Sequence, residues 1–238
     1  MRKVLLLLVV LAGFLAACEN KYKDPDPTAM GFDYYPLEVG NYRIYDVTDI
    51  KITRNVSEIN RFQLRERVDT SFYDQTNQLV HKIVRSVRAN SNRPWVDDSV
   101  MTVIKSTSKV LLTKDNTKYV KLVFPVKAGL KWEGDAFNSR VVNNGKESYT
   151  YGEVGETFEI DGQSFAKTVT VTQGTPFDNV QLDNRKEVYA EGIGLVYRLF
   201  NRAVYCAGSE IKDCPVDDEN FKQSGHERHE VLVEHGKL

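Results

Sequence analysis

The residues with the clearest metal-binding chemistry lie near the C-terminus, in the segment Gly225–Glu230, which reads GHERHE. His226 and His229 could each supply an imidazole nitrogen to a metal ion, and Glu227 or Glu230 could add a carboxylate oxygen. The zinc-peptidase motif H-E-x-x-H fails because position 230 is Glu, and the inverted motif H-x-x-E-H fails at 229 and 230. We therefore expect no metal site and interpret the segment as a solvated polar stretch before the last strand.

Acidic residues are adjacent at Asp97-Asp98 and Asp217–Glu219, and paired carboxylates are the machinery of glycosidases. Such a pair depends on its separation in space, which adjacent positions do not establish, and so we interpret both groups as solvated loop residues. The sequence has no G-x-S-x-G nucleophile motif and no P-loop. It therefore predicts no catalytic residue, no cofactor and a protein that is not an enzyme.

Two cysteines, Cys206 and Cys214, lie in the segment YCAGSEIKDCP. Disulfides form in exported proteins, and closing so short a loop would stabilise a fold by roughly 2–3 kcal/mol in the chain-entropy model. The alternatives are two free thiols or a zinc site, which the missing C-x-x-C spacing disfavours. We predict a Cys206–Cys214 disulfide if the chain is exported.

The N-terminus carries the signal for export. Arg2 and Lys3 precede an apolar run from Val4 to Phe14. This run is too short for a transmembrane helix, which needs about 20 apolar residues to cross a hydrocarbon core of ~30 Å. A short basic region followed by such a run is typical of a cleaved secretory signal peptide, which we assign to residues 1–17.

The residues Leu15-Ala16-Ala17-Cys18 resemble the lipobox of bacterial lipoproteins. The resemblance implies cleavage before Cys18 and attachment of acyl chains such as palmitate to that residue. One acyl chain binds a membrane only reversibly, and several hold a protein there stably. We therefore expect a lipid-anchored protein of the cell envelope, at the outer membrane. The alternative is an ordinary signal peptide with a coincidental cysteine.

The remaining composition is that of a globular protein. The chain has 32 basic and 33 acidic residues, a formal net charge of −1, and 41% hydrophobic residues. This balance lacks the basic excess of proteins that bind nucleic acid, so we expect no nucleic-acid partner. Residues 18–31 contain two Asp-Pro pairs and predict a flexible tether. Residues 32–238 predict a single domain.

The domain sequence indicates about a dozen short strands separated by turns. Ser164–Gln173 alternates apolar and polar residues, and Asp161-Gly162 before it is the best type I′ hairpin signal in the chain. Gln78–Ala89 fits both a helical stripe and a strand, and we predict a strand because its neighbours are β. Other predicted strands are Tyr149–Val154, Thr157–Ile160 and His229–His235. The fold class is therefore all-β, an antiparallel meander forming an open barrel or a sandwich, with little helix outside the signal peptide.

Two stretches are similar to motifs of a broad group of small bacterial envelope lipoproteins. Tyr34–Leu37 and Val39–Tyr42, with Tyr45, are similar to the opening pattern YxPL-x-x-GN-x-W/Y-x-x-Y. Tyr189–Val196 is similar to a C-terminal pattern A-x-G-I/V-G-L-V. The resemblance implies an envelope location and the fold class, but no catalytic residues. We interpret these tyrosines and glycines as structural.

Together these features predict a lipid-anchored envelope protein that binds or scaffolds rather than catalyses. Its expected partners are the membrane, through Cys18, and an envelope protein or a glycan. One alternative is a surface hydrolase acting on glycan or peptide, which would need carboxylates or a nucleophile converging in a cleft. Another is a lipid-carrying open β-barrel, which would need a continuous apolar lumen.

Overall fold

The structure, a computed structural model, describes residues 26–139, 147–174, 181–206 and 220–238. These residues form twelve strands, one short helix and one 3₁₀ turn. None of the helices described is long and apolar enough to span a membrane. The elements are α1 (Pro27–Met30), the 3₁₀ turn (Phe32–Tyr34), β1 (Asn41–Thr53), β2 (Val56–Tyr73), β3 (Leu79–Arg88), β4 (Val96–Lys105), β5 (Lys109–Lys114), β6 (Thr117–Val123), β7 (Lys131–Glu133), β8 (Ser148–Ile160), β9 (Gln163–Gln173), β10 (Gln181–Ala190), β11 (Gly194–Tyr205) and β12 (Lys222–Lys237).

The twelve strands form one antiparallel sheet that curls into a nearly closed barrel. Their order is β6-β5-β4-β3-β2-β1-β12-β11-β10-β9-β8-β7. Two meanders, β1 to β6 and β7 to β12, are therefore joined by the pairing of β1 with β12. The predicted all-β antiparallel meander is confirmed, and of the two predicted architectures the barrel is the one observed. The strand predicted at Gln78–Ala89 is confirmed as β3.

The predicted hairpin at Asp161-Gly162 is also confirmed. Both residues have positive φ, 50° and 77°, and Ile160 pairs directly with Gln163. A two-residue turn with positive φ at both positions matches the right-handed twist of the strands it joins. Glycine takes this conformation without strain, and Asp tolerates it better than most residues.

Two predicted strand boundaries are wrong. The strands predicted at Tyr149–Val154 and Thr157–Ile160 are one strand, β8, which continues through register irregularities near Gly155, at φ 89°. The last strand begins at Lys222 rather than His229. The GHERHE segment is therefore part of a strand, because β1 and β11 pair with it from both sides.

The interior of the barrel has an apolar part and a charged part. Successive residues of a strand point to opposite faces, so every second residue points inward. The inward apolar residues pack into one core, where each buried side chain contributes roughly 1.5–3 kcal/mol. Core residues that are at most 2% exposed include Tyr45, Val47, Leu64, Val103, Val169 and Val196.

One end of the barrel, which we call the closed end, is filled by residues Gly31–Leu37, the N-terminal plug. Tyr34 and Tyr35 of the plug are 6% and 7% exposed and belong to the core. Lys105, at the end of β4, donates from Nζ to the carbonyl oxygens of Phe32 and Tyr35, at 2.7 and 2.9 Å. The opposite end, the open end, carries the turns that join β1 to β2 and β5 to β6.

Helix α1 lies within the segment that we assigned to the tether. Asp26 caps it by accepting the Thr28 N–H at 3.0 Å. The carbonyl of Met30 accepts the N–H of Val126 at 3.0 Å, which fixes the helix to the chain that follows β6. The described fold thus begins before Phe32.

The barrel closes where β6 meets β7 and β8, through one backbone hydrogen bond and through side chains, and we call this line the seam. The Val120 N–H donates to the Gly134 carbonyl at 2.8 Å, and Trp132 Nε1 donates to the Val120 carbonyl at 2.9 Å. The Tyr151 hydroxyl accepts the Val123 N–H at 2.9 Å and donates to its carbonyl at 2.8 Å. Side chains thereby satisfy backbone groups that a neighbouring strand would otherwise pair.

Replacing Tyr151 by Phe should weaken the seam. Tyr151 is 1% exposed, and loss of its hydroxyl would leave the N–H and carbonyl of Val123 without partners, at a cost of about 2–3 kcal/mol. Urea denaturation measures the free energy of unfolding. Tyr73→Phe is the control, since Tyr73 is 68% exposed. A cost equal to that of the control would show that the hydroxyl does not hold the seam.

Candidate functional site

The charged part of the interior borders a cavity of about 300 Å³ toward the open end. This is the lower limit of the ~300–1,000 Å³ range of small-molecule pockets. Cationic side chains outnumber carboxylates in the lining. The cations are Arg85, Lys114, Lys121, Arg185, Arg198 and Arg202, and the carboxylates are Asp135, Glu147 and Glu187.

The register of the strands places opposite charges side by side. Glu187 of β10 lies opposite Arg198 of β11, which lies opposite Glu230 of β12. Glu66 of β2 lies opposite Arg85 of β3. Directly opposite residues share a face, with Cβ atoms about 4.5–5.5 Å apart. We define the charge network as Glu66, Arg85, Lys121, Glu187, Arg198 and Glu230.

Glu187 is the centre of the charge network. It is 2% exposed and accepts hydrogen bonds from Lys121 Nζ at 2.7 Å and Arg198 Nε at 2.9 Å. Gln173 Nε2 and the Tyr189 hydroxyl donate to it at 2.8 and 2.7 Å. Burial raises the pKa of this carboxyl, but the charges of Lys121 and Arg198 outweigh burial and hold the pKa at about 2. Glu187 is therefore ionised at neutral pH.

Glu230 is shared by three arginines. Its oxygens lie 2.6 Å from Arg198 Nη1, 2.8 Å from Arg228 Nε and 3.8 Å from Arg85 Nη2. Burial raises the pKa of Glu230, but the three arginines, Arg198 foremost, bring it below its usual range. This carboxylate thereby ties β3 and β11 to β12.

Arg185 forms a second ionic group nearer the open end. Its Nη2 donates to Asp183 Oδ2 at 2.8 Å, and its Nη1 lies 3.2 Å from Glu147 Oε2. Burial alone lowers the pKa of Arg185, but the two carboxylates raise it above its usual value. Arg202 lies 3.5 Å from Asp183 and has a side chain that is 37% exposed.

The exposure of Arg198 shows that solvent reaches the cavity. Its side chain is 23% exposed, whereas those of Glu187 and Glu230 are 3% and 2% exposed. Arg198 lies on the inward face between these two carboxylates, so its exposed surface faces the cavity. A small molecule could therefore contact this guanidinium without disturbing its ion pairs.

Lys114, at the end of β5, also lines the cavity and is half-buried. Within the described residues its ammonium makes no hydrogen bond or ion pair. Burial lowers the pKa of Lys114, and the like charges of Arg85 and Arg198 lower it further. Lys114 is thus the one lining cation that no carboxylate of the described residues pairs.

The structure pairs each histidine of the GHERHE segment separately. His226 Nε2 lies 2.8 Å from Asp49, and His229 Nε2 lies 2.7 Å from Glu227. Positions 226 and 229 are an odd number of residues apart in β12, so the two imidazoles lie on opposite faces of the strand. In the described ranges, no three His, Cys, Asp or Glu side chains could hold a metal ion together. The interpretation as a solvated stretch before the strand is wrong, since Glu230 is 2% exposed.

The other residues considered from the sequence do not converge on the cavity. Asp97 and Asp98 are exposed, as expected, but lie on β4 rather than in a loop. Cys206 follows β11, and Tyr45 is fully buried and donates its hydroxyl to the Leu195 carbonyl at 3.0 Å. Cys18, Cys214 and Asp217–Glu219 lie outside the described residues, so lipidation of Cys18 and the Cys206–Cys214 disulfide stay predictions.

No sequence motif indicated the charge network. A signal was present in β10, where Asp183, Arg185, Glu187 and Tyr189 occupy every second position and hence one face. Asn184 and Lys186 make the other face polar as well, so the alternation alone does not tell which face is buried. Lys121 gave no signal, because its partner lies 66 positions away.

Comparison with known proteins adds little to this picture. No family model matches the sequence, and no curated protein matches it. A crystal structure described as a "putative lipoprotein" from Parabacteroides distasonis ATCC 8503 aligns over 85% of this chain and 98% of its own, with 11% identity and a TM-score of 0.38. At this identity and TM-score the likeness supports no conclusion about fold or function.

Proposed function

We propose that this chain is a lipid-anchored cell-envelope protein, at the outer membrane, that binds a small polar molecule without catalysis. The observation that carries the binding role is the cavity of about 300 Å³, which lies inside a barrel closed at its other end and is lined by charged side chains. The anchor is supported by the signal peptide and the lipobox-like Leu15–Cys18. An envelope protein or a glycan stays the expected partner.

The lining favours a polar ligand over an acyl chain. A lipid carrier needs a continuous apolar lumen, whereas here the apolar part of the interior is filled by buried side chains such as Tyr45 and Leu64. The part that remains accessible is bordered by the charge network. An acyl chain placed against these charged side chains would displace the water that hydrates them and would offer no hydrogen bonds in its place.

Two of the three carboxylates that line the cavity, Glu187 and Glu147, do not suit hydrolysis. A general acid works best with a pKa near the operating pH, but the pKa of Glu187 is about 2 because Lys121 and Arg198 stabilise its charge. Glu147 is held by Arg185 at 3.2 Å. Both carboxylates therefore act as structural anions.

The anchor is tested by the intact mass of the full-length protein purified from its native membrane, with and without reduction. We expect a chain that starts at Cys18 with added acyl mass and gains two hydrogens on reduction, from the Cys206–Cys214 bond. When the two membranes are separated, we expect the protein in the outer-membrane fraction. The Cys18→Ser variant should leave the membrane fraction, and an unacylated wild-type N-terminus would overturn the anchor.

The binding role is tested by thermal unfolding of the same protein in the presence of neutral, acidic and basic small molecules and of fatty acids. At least one polar compound should raise the melting temperature of the wild type. Leu112→Trp, which fills the cavity from β5, should abolish the rise, and Leu79→Trp, at a 40% exposed position, should retain it. Stabilisation by fatty acids alone would favour the lipid carrier instead.

A further inference from the structure

The cavity wall holds one more cation than the charge network pairs. Glu187 forms ion pairs with both Lys121 and Arg198, and Glu230 forms ion pairs with Arg198 and Arg85. Lys114 lines the same cavity and has no ion pair in the part of the chain that is described. The three carboxylates of the network are matched in number by its three cations, so Lys114 adds a positive charge that none of these carboxylates pairs.

Arg85 is the second incompletely bound cation. It is 5% exposed, yet its Nε has no hydrogen-bond partner. Its nitrogens lie 3.3 Å from Glu66 Oε1 and 3.8 Å from Glu230 Oε1, contacts that attract by charge without hydrogen-bond geometry. A guanidinium has five N–H donors. The Nε–H of Arg85 is shielded from solvent, but the side chain lines the cavity, and its Nη groups make no hydrogen bond to the described residues.

We infer that the ligand of the cavity carries an oxyanion group, a carboxylate or a phosphate, which binds between Lys114 and Arg85. The inference rests on the proposed binding function and names the class of ligand. Such a group would accept charge-assisted hydrogen bonds from both side chains, which are about twice as strong as neutral ones. It would also offset the repulsion of Lys114 by Arg85 and Arg198, which adds to the effect of burial in lowering the pKa of Lys114.

The rest of the lining limits the size and shape of this anion. Tyr119, Tyr149 and Phe200 place aromatic rings in the wall, and a ring of this kind packs against the apolar face of a small cyclic molecule. A volume of about 300 Å³ accommodates one ring rather than a polymer. We therefore choose hexose derivatives that differ only in charge as probes.

The experiment is calorimetric titration of the full-length protein in a non-ionic detergent without a sugar headgroup. The probes are glucose, glucosamine, glucuronate and glucose 6-phosphate, which carry no charge, a positive charge, a carboxylate and a phosphate. We expect the two anions to bind, glucose and glucosamine not to bind, and the affinity for the anions to fall as salt is added. The anion that binds with the higher affinity shows whether the site prefers a carboxylate or a phosphate.

Variants at Lys114 test the position of the site. Lys114→Met should weaken anion binding by about 10- to 100-fold, because it removes a charged donor, while Lys114→Arg should retain binding. Lys118→Met is the matched control, since Lys118 is exposed on the adjoining strand. Removing the Lys114 ammonium leaves no described carboxylate without its ion-pair partner, so the Lys114→Met variant should unfold at the wild-type temperature or above.

The outcomes separate this inference from the proposed function. Tighter binding of glucose than of either anion, or equal anion affinity in the Lys114→Met variant, would overturn the inference and leave a polar binding protein. If neither anion binds in the titration and a neutral or basic compound raises the melting temperature in the thermal experiment, the inference is likewise overturned and the polar binding function remains. Failure of every polar compound in both experiments would overturn the function and the inference together.

Discussion

Glu187→Gln is expected to cost about 3–5 kcal/mol of the free energy of unfolding at pH 7, because removing one member of a buried ion pair leaves the other charge uncompensated. The carboxylate that is lost forms ion pairs with both Lys121 and Arg198, and Glu187 is 2% exposed. Glutamine keeps the size and can accept one hydrogen bond, but it carries no charge to offset the two cations.

The same substitution should change how stability depends on pH. The folded-state pKa of Glu187 is about 2 and lies below its ordinary value of 4.5, because Lys121 and Arg198 outweigh the effect of burial. The stabilisation from this carboxylate is therefore complete above about pH 4.5 and is lost as the pH falls toward 2. The wild type should lose more stability across this range than Glu187→Gln does.

Urea denaturation between pH 2 and 7 measures both effects. Glu153→Gln is the matched control, since Glu153 lies on β8, is exposed, and should change stability by less than about 0.5 kcal/mol. Adding Lys121→Met to Glu187→Gln should recover part of the lost free energy of unfolding, because it removes the Lys121 ammonium that Glu187→Gln leaves without a counter-charge. A cost equal to that of the control would show that the network does not stabilise the barrel.

Tyr35→Ala is expected to cost about 3–5 kcal/mol, as removal of a buried aromatic side chain does in other cores. Tyr35 is 7% exposed in the N-terminal plug, and its ring lies 6.0 Å from that of Tyr189 between centroids. Tyr189 in turn donates to Glu187 at 2.7 Å. The substitution would leave a hole directly beneath the charge network.

The measurement is again urea denaturation, with Tyr73→Ala as the control because Tyr73 is 68% exposed. We expect the control to change the free energy of unfolding by less than about 1 kcal/mol. If Tyr35→Ala behaved like the control, the plug would be an attached segment rather than part of the core.

Local signals in the sequence were enough to predict most of the strands but not how the barrel closes. Asp161-Gly162 sets its own hairpin, because both residues tolerate positive φ. The choice between barrel and sandwich depends instead on pairing between β1 and β12 at opposite ends of the chain. It also depends on Tyr151 and Trp132, whose hydrogen bonds across the seam have no local signature.

The candidate site was harder to predict because its residues have no unusual type or spacing. Motif chemistry drew attention to His226 and His229, and a strand places them on opposite faces. Glu187 and Arg198 gain their roles only when β10 and β11 are folded around Lys121, which comes from the other meander. Ionic groups inside a barrel are set by long-range register, which one sequence does not display.

The position of the N-terminal plug determines which way the barrel faces if Cys18 carries lipid. The chain enters at the closed end, and a segment as short as that from Cys18 to Asp26 reaches at most about 30 Å. The base of the barrel would therefore stand next to the bilayer, with its entrance directed away from the membrane into the surrounding aqueous compartment. Such a protein would bind solutes from the surrounding water rather than lipids from the leaflet to which it is anchored.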